Sequence, residues 1–448
     1  MNIAIIGTGY VGLVSGVCLA SKGHNVICVD LNTEIVKKLN KGKTTIYEKN
    51  LDFLLKKTIA EKKFSATTNL VEALNFSNLI IVAVGTPQKN GSINLKYIKK
   101  VCQDIGNYML NNNKYITVII KSTVIPGTTD TFVRKEIEKY SKKKIGTFGL
   151  GMNPEFLREG NAVEDFLNPD RIVIGYETKK TLMMMKKLYA PWKVDKLYVN
   201  TRTAELIKYA NNILLATQIS TLNEIANLSS SLGNIDITQV VKGVHLDKRW
   251  NPIINNKRSN PGILNYLIPG CGFGGSCFPK DLSALKEQAR KHRIQMRVIN
   301  AVLDVNENQP YQVIKMLESE IGSISKKKVL ILGLSFNPET DDVRNSPAIK
   351  ICNQLIKKNA LVSAHDPKAI KNFKINNVKI SSKINFVNNW KTKIKKNDII
   401  IITTPWKDYL SLTNFNLNGK IVFDGKKAFS VKAFDHAKYL SIGLRFEN

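Results

Sequence analysis

The chain has 448 residues, 43% of them hydrophobic, which is too long for one core and apolar enough to fill two or three. Its formal charge of +31 is the excess of 56 Lys and 11 Arg over 36 Asp and Glu; the basic residues are spread along the whole length, with no basic arm and no basic stretch interleaved with aromatics, so no nucleic-acid partner is expected. No apolar run approaches the roughly 18–20 residues of a membrane helix; the opening Asn2-Ile3-Ala4-Ile5-Ile6 has no basic start or cleavage site, and the six cysteines show neither disulfide nor metal spacing, so a cytoplasmic protein with no membrane contact and no metal is expected.

Strand-like runs at 3–6, 26–29, 79–84 and 117–120 alternate with polar or helical stretches, which predicts a parallel sheet covered on both faces. Gly7-Thr8-Gly9-Tyr10-Val11-Gly12 follows the first run directly. Glycines there allow a tight turn, close approach of a pyrophosphate and close packing of the next helix, whose N-terminus favours phosphate charge. Asp30 ends the second run, where a carboxylate accepts from ribose hydroxyls and repels a 2′-phosphate; NAD is therefore expected rather than NADP. Val84-Gly85-Thr86-Pro87 and Lys121-Ser122-Thr123 follow the third and fourth runs, on the sheet edge where ligands bind, although each alone is more often an ordinary turn.

Asn153-Pro154-Glu155-Phe156-Leu157-Arg158-Glu159-Gly160 gathers two carboxylates and an arginine. Read as a helical turn, it puts Glu155 and Glu159 on one face, suited to acid/base work or to holding a water, though such a pair alone is usually a solvated surface. From about 200 to 232 Leu206, Ile207, Ala210, Ile213, Leu214 and Leu222 follow a long helical register, apolar on more than one side, which predicts packing in a core or against a second subunit. Lys208 and Asn212 lie one turn apart on it and can donate to an anionic oxygen. Residues 251–259, polar with one proline, read as an exposed loop or insertion.

In Gly272-Phe273-Gly274-Gly275-Ser276-Cys277-Phe278-Pro279-Lys280-Asp281 one cysteine stands in a glycine-rich turn beside a Lys and an Asp. Close backbone amides and a cation are what make a thiolate nucleophilic; the plainer alternative is a packed cysteine in a tight turn. A Ser/Lys-rich linker at 323–328 precedes strand-like runs at 329–332, 361–364, 399–403 and 421–423. The expected class is α/β: two Rossmann-like, doubly wound parallel-sheet domains (1–196 and 322–448) joined by a helical central domain with a long helix (197–310).

These blocks, in order and together with Leu332-Gly333-Leu334-Ser335-Phe336 and Thr340-Asp341-Asp342-Val343-Arg344-Asn345-Ser346-Pro347, resemble the nucleotide-sugar 6-dehydrogenase family over nearly the whole chain. The resemblance implies a first domain that holds NAD, a central dimer interface and a last domain that holds the UDP of a UDP-sugar. It implies a four-electron oxidation, UDP-glucose to UDP-glucuronate, through a thiohemiacetal and a thioester on Cys277. Lys208 and Asn212 would stabilise developing negative charge or order a water, Asp281 would tune the water and lysine, and Glu155 would serve as acid/base in hydrolysis. Thr123 and Glu159 would lie between cofactor and sugar, with Gly7, Gly9, Tyr10, Val11, Gly12, Asp30, Gly85, Thr86 and Arg344 on the cofactor. Phe156, Leu157, Arg158, Phe273, Gly274, Phe336, Asn337 and Lys426 would join Glu155, Lys208 and Asn212 on the substrate, with Arg249 reaching it from a partner subunit. Asn337 stands where the family often has Lys, Lys426 where Arg is usual, and 251–265 looks like an insertion beside the sugar. The alternatives are the same chemistry on GDP-mannose or a UDP-N-acetylhexosamine, a two-electron alcohol dehydrogenase, and a non-catalytic nucleotide-sugar-binding or nucleic-acid-binding protein.

Overall fold

A computed structural model describes residues 1–89, 91–434 and 436–445. Contacts divide the chain into two compact units, one of Met1–Asn211 with Ser283–His292, the other of Asn212–Leu282 with Arg293 onward.

The first unit is built on eight strands: β1 (Asn2–Ile6), β2 (Asn25–Val29), β3 (Phe64–Thr67), β4 (Leu79–Val82), β5 (Thr117–Ile120), β6 (Gly149–Met152), β7 (Ile172–Tyr176) and β8 (Lys196–Val199). They lie in the order β8-β7-β6-β5-β4-β1-β2-β3. β1 to β6 are parallel, in the 3-2-1-4-5-6 order of dinucleotide-binding sheets, and β7 turns antiparallel against β6. Leu-Ile-Ile-Val in β4 and Thr-Val-Ile-Ile in β5 are buried along their whole length, because helices cover both faces of a parallel sheet. The third run is shorter than expected: β4 stops at Val82, and Val84 turns its carbonyl to the Ser122 hydroxyl at 2.6 Å. Helix α1 (Tyr10–Ser21) is buried continuously from Gly12 to Ala20 against this sheet.

The second unit repeats the plan with β9 (Ile235–Asp236), β10 (Lys328–Leu332), β11 (Leu361–His365), β12 (Asn385–Phe386), β13 (Ile399–Ile402), β14 (Ile421–Asp424), β15 (Lys438–Ser441) and β16 (Leu444–Arg445). Their order is β9-β16-β15-β14-β13-β10-β11-β12, and β10 to β15 are again parallel. The 251–259 segment is not an open loop. Ile253–Ile254 pairs antiparallel with Lys257–Arg258 across Asn255 and Asn256, whose φ of 49° and 60° suit a two-residue hairpin turn.

Helix α2 (Thr201–Leu232) is 32 residues long, about 48 Å at 1.5 Å per residue, and carries Lys208 in the first unit and Asn212 in the second. Helices α3 (Phe278–Lys291) and α4 (Arg297–Ile321) follow. Among the described residues no helix is long and apolar enough to cross a membrane.

Candidate active site

In the first unit, Gly7 takes φ +98° as the chain leaves β1, and a Cβ there would lie 2.9 Å from the Ala83 carbonyl oxygen. A Cβ on Gly12 would lie 1.9 Å from the Gly7 carbonyl oxygen, so this glycine is dictated by the turn itself. Gly9 differs, since a Cβ on it would meet nothing within 4 Å. It is the N-cap of α1 and no side chain caps that helix, which leaves first-turn amides for an anion. A cradle that only an outside group would fill fits a dinucleotide pyrophosphate. Asp30, half-buried at the end of β2, accepts from the Thr8 amide and hydroxyl and from the Asn32 amide. Leu31 beside it is 92% exposed. Gly85 is open to solvent, and the Thr86 hydroxyl donates to the Thr123 carbonyl at 2.9 Å, joining the β4 and β5 loops.

Residues 153–160 are not helical, so Glu155 and Glu159 do not share a helix face as the spacing suggested. Pro154 interrupts, Glu155 Oε2 takes the Leu157 amide at 2.7 Å, and Gly160 turns out at φ +92°. Glu155 is buried with its Oε1 2.9 Å from Lys208 Nζ, also buried. Burial by itself would raise the Glu155 pKa; the Lys208 ammonium, the Leu157 amide and the more distant Lys121 charge outweigh it and hold the carboxyl below its usual range. The group is a carboxylate at neutral pH, a base at rest. Phe156 packs its ring under the Arg171 guanidinium at 4.0 Å, with Lys208 Nζ 5.6 Å from the ring centre. Arg158 forks onto Asp165 at 2.6 and 3.0 Å, and Leu157 and Glu159 are half-buried in the same loop.

Two carboxylates that sequence reasoning missed hold this region together. Glu48, from the segment before the helix at Leu51–Ala60, accepts from the Gly160 and Ala162 amides at 2.9 Å each and from the Tyr10 hydroxyl. It thereby ties the glycine turn to the 153–160 loop; burial and the Glu48 contact keep Tyr10 protonated. Glu205 on α2 accepts from the Gly127 and Thr129 amides at 2.6 and 2.8 Å, anchoring the chain just after Thr123, and burial raises its pKa to about 7. A Glu one turn before Lys208 in the helical register is the only sequence signal for it.

In the second unit, Cys277 is half-buried at the N-cap of α3, its carbonyl accepting from the Asp281 amide at 2.8 Å, where the helix stabilises negative charge developing on sulfur. Ser276 Oγ lies 3.6 Å from its Sγ. None of the six cysteines is in a disulfide. Asp281, fully buried one turn into α3, accepts from Asn212 Nδ2 at 2.7 Å and from Lys280 Nζ at 2.6 Å. The loop before Cys277 is moored on every side: Asn306 brackets Phe273 at 2.7 and 3.0 Å, the Gly275 amide donates to the Arg344 carbonyl at 2.8 Å, and Lys426 Nζ donates to the Gly272 carbonyl at 3.2 Å. A Cβ on Gly274 would lie 2.5 Å from the Asn345 carbonyl oxygen and one on Gly275 2.9 Å from the Phe336 ring, so both glycines serve close packing. Asn337 is exposed, and Arg344 and Arg249 fork onto Asp342 and Asp247, with Arg249 86% exposed.

The counterpart of Asp30 in the second sheet is Asp366, after β11. It is buried and taken up by the Leu334 and Ser335 amides, the Ser335 hydroxyl and Trp406 Nε1. The two sheets therefore share a strand order, while the acid after the second strand is half-buried in the first and buried in the second.

A dinucleotide-type domain and a second doubly wound domain, with a long helix carrying Lys208 and Asn212, define a nucleotide-using dehydrogenase. Comparison with known proteins narrows this. Residues 1–193 match the NAD binding domain, 202–308 the central domain and 330–431 the UDP binding domain of the UDP-glucose/GDP-mannose dehydrogenase family. A UDP-glucose 6-dehydrogenase of Rickettsia conorii is 37% identical, covering 100% of this chain and 98% of its own length; one from Bacillus subtilis, TuaD, is 36% identical over 99% and 93%. The solved UDP-glucose dehydrogenase of Pyrobaculum islandicum superposes with TM-score 0.88 at 34% identity, covering 99% of this chain and 97% of that one. The UDP-D-ManNAc dehydrogenase of Pyrococcus horikoshii reaches 0.82 at 25%, covering 99% of each. The chain belongs to the UDP-glucose/GDP-mannose dehydrogenase family and is an NAD-dependent nucleotide-sugar dehydrogenase.

Proposed function

We propose that this enzyme oxidises UDP-glucose to UDP-glucuronate in two two-electron steps, with Cys277 as the covalent nucleophile. The observation that carries the reading is Cys277 at the start of α3 with Asp281 one turn on, pinned between Asn212 and Lys280. The names of the more similar relatives favour UDP-glucose over N-acetylated sugars.

When bound, NAD would be held by the Gly7–Gly12 turn and Asp30, and it would supply the acceptor for each electron pair that leaves C6. The residues of the chain do the rest. After the alcohol has become an aldehyde, Cys277 Sγ adds to the C6 carbon and gives a thiohemiacetal, with Lys208 and Asn212 donating to the oxygen. Loss of the second pair leaves a thioester on Cys277. Glu155, already ionised, takes a proton from a water that attacks the thioester; the C–S bond breaks, and the carboxylate and thiol are released. Thr123 and Glu159 lie by the sugar on this reading, Phe156, Leu157, Phe273, Gly274 and Phe336 line its binding surface, and Lys426, Asn337 and Arg344 serve the nucleotides. The working form is a cytoplasmic homodimer that brings Arg249 to the partner's sugar.

Mass spectrometry of the product from UDP-glucose and NAD, with NADH counted, tests the reading: UDP-glucuronate and two NADH per sugar are expected. Turnover confined to GDP-mannose or a UDP-N-acetylhexosamine would transfer the chemistry to that substrate, and one NADH with no acid would end the thioester route.

A further inference from the structure

The last side chain of the Lys121-Ser122-Thr123 turn to find a use is Lys121. It leaves β5 fully buried, donates to Asn153 Oδ1 at 2.7 Å and lies 5.5 Å from the centre of the Phe166 ring. Asn153 is itself fixed, donating to the Val173 carbonyl at 2.8 Å and accepting from the Tyr189 hydroxyl at 2.5 Å. It is also the first residue of the loop that carries, two positions on, the Glu155 carboxylate. An ammonium has three donors, and among the described residues its hydrogen-bond acceptor is one neutral amide oxygen, so its desolvation is offset mainly by the Glu155 charge.

We propose that Lys121 is a positioning residue for Glu155: a buried second cation that fixes the Glu155 loop through Asn153 and keeps the carboxylate ionised while Lys208 turns to the substrate oxygen. The proposal rests on the reading of Glu155 as the base of thioester hydrolysis. The charged groups that face Lys121 are Glu155, from its loop, and Lys208, from α2. Tyr189 shares Asn153 with it and is kept protonated by burial. Burial, and then Lys208, push the Lys121 pKa down to about 8, against the pull of Glu155. The sign follows: between pH 8 and the ordinary lysine range the unfolded chain keeps a proton that the folded one has lost, so stability rises with pH there. Below pH 8 the fold carries the ammonium at a cost. A charge kept at the expense of stability, beside a catalytic carboxylate, points to function rather than to folding.

The test uses full-length K121M, with K121Q as a second variant should the first not fold, and E155Q. The readouts are melting temperature, the NMR titration of the Glu155 carboxyl assigned by its loss in E155Q, and the pH profile of kcat. K121M is expected to melt at or above the wild-type temperature at pH 7, because no charge is buried. Its Glu155 should titrate at higher pH, and its kcat at pH 7 should fall on the order of 10-fold with KM unchanged, since misplacing a catalytic group by about 1 Å costs up to about 10²-fold. Thioester should accumulate on Cys277, and the acid limb of the kcat profile should move to higher pH. An unmoved Glu155 titration in K121M and K121Q, or a loss of activity that only tracks a lower melting temperature, overturns the proposal. The reading beneath it fails separately, if E155Q hydrolyses the thioester at the wild-type rate; the Glu155 titration still decides whether Lys121 holds that carboxylate.

Discussion

At the scale of single residues, the groups that matter are those whose polar atoms are buried and spoken for. Glu155 on Lys208 is a buried pair, and removing one partner leaves the other as an uncompensated charge, so Lys208→Ala should lose stability, by about 3–5 kcal/mol, as well as activity. Denaturant unfolding measures the first effect. E155Q keeps the shape and removes the base, and rapid-quench mass spectrometry should find the thioester on Cys277 accumulating, with hydrolysis slowed on the order of 10²-fold. Cys277→Ala, at a half-buried position, should fold normally and lose acid formation by roughly 10³-fold or more. Full acid formation by that variant would falsify the thiol's role. Cys277, Asp281 and Asn212 could be singled out in the sequence because they fall in short, spaced motifs, and the structure pairs Asn212 with Asp281. Glu48, Glu205 and the full role of Lys121 were not, because nothing local distinguishes a glutamate that accepts a distant amide from one on the surface.

At the scale of the element, the glycine turn separates two kinds of constraint. Gly9→Ala places a methyl in open space and should leave stability within about 0.5 kcal/mol, while the KM for NAD rises roughly 10-fold. Gly12→Ala forces a methyl to 1.9 Å from a carbonyl oxygen and should destabilise the domain by about 1–3 kcal/mol or more. Thermal melts with and without NAD distinguish the two. The loop after Thr123 offers a pH test. Glu205 titrates near 7 when folded and at the ordinary glutamate pKa when unfolded, so the folded state holds the extra proton in between. Its contribution is fully present below the unfolded value and is lost as pH rises toward 7. Compared with wild type, E205Q should therefore lose less stability between pH 5 and 7, as denaturant midpoints across that range will show. The 153–160 segment shows where periodicity misleads: a four-residue spacing of carboxylates looks helical, but Pro154 and the side-chain hold on the Leu157 amide make it a loop.

For the whole molecule, two sheets of the same strand order occur in one chain, and only the first retains an accessible acid after its second strand. Leu214, Leu228 and Leu232 of α2 are exposed; the proposed homodimer would cover such side chains, and light scattering tests it by returning twice the chain mass of 50.2 kDa. The amino-acid sequence by itself determined the alternation of strand and helix, the long helix, the phosphate turn with its acid, and the cysteine loop. These depend on periodicity and on glycine spacing, both of which are local. Only the tertiary structure decided which carboxylates are ionised and what each one holds. Glu48 meets Ala162 across 114 positions and Glu205 meets Gly127 across 78, and the cost of burying a charge is set by those distant partners.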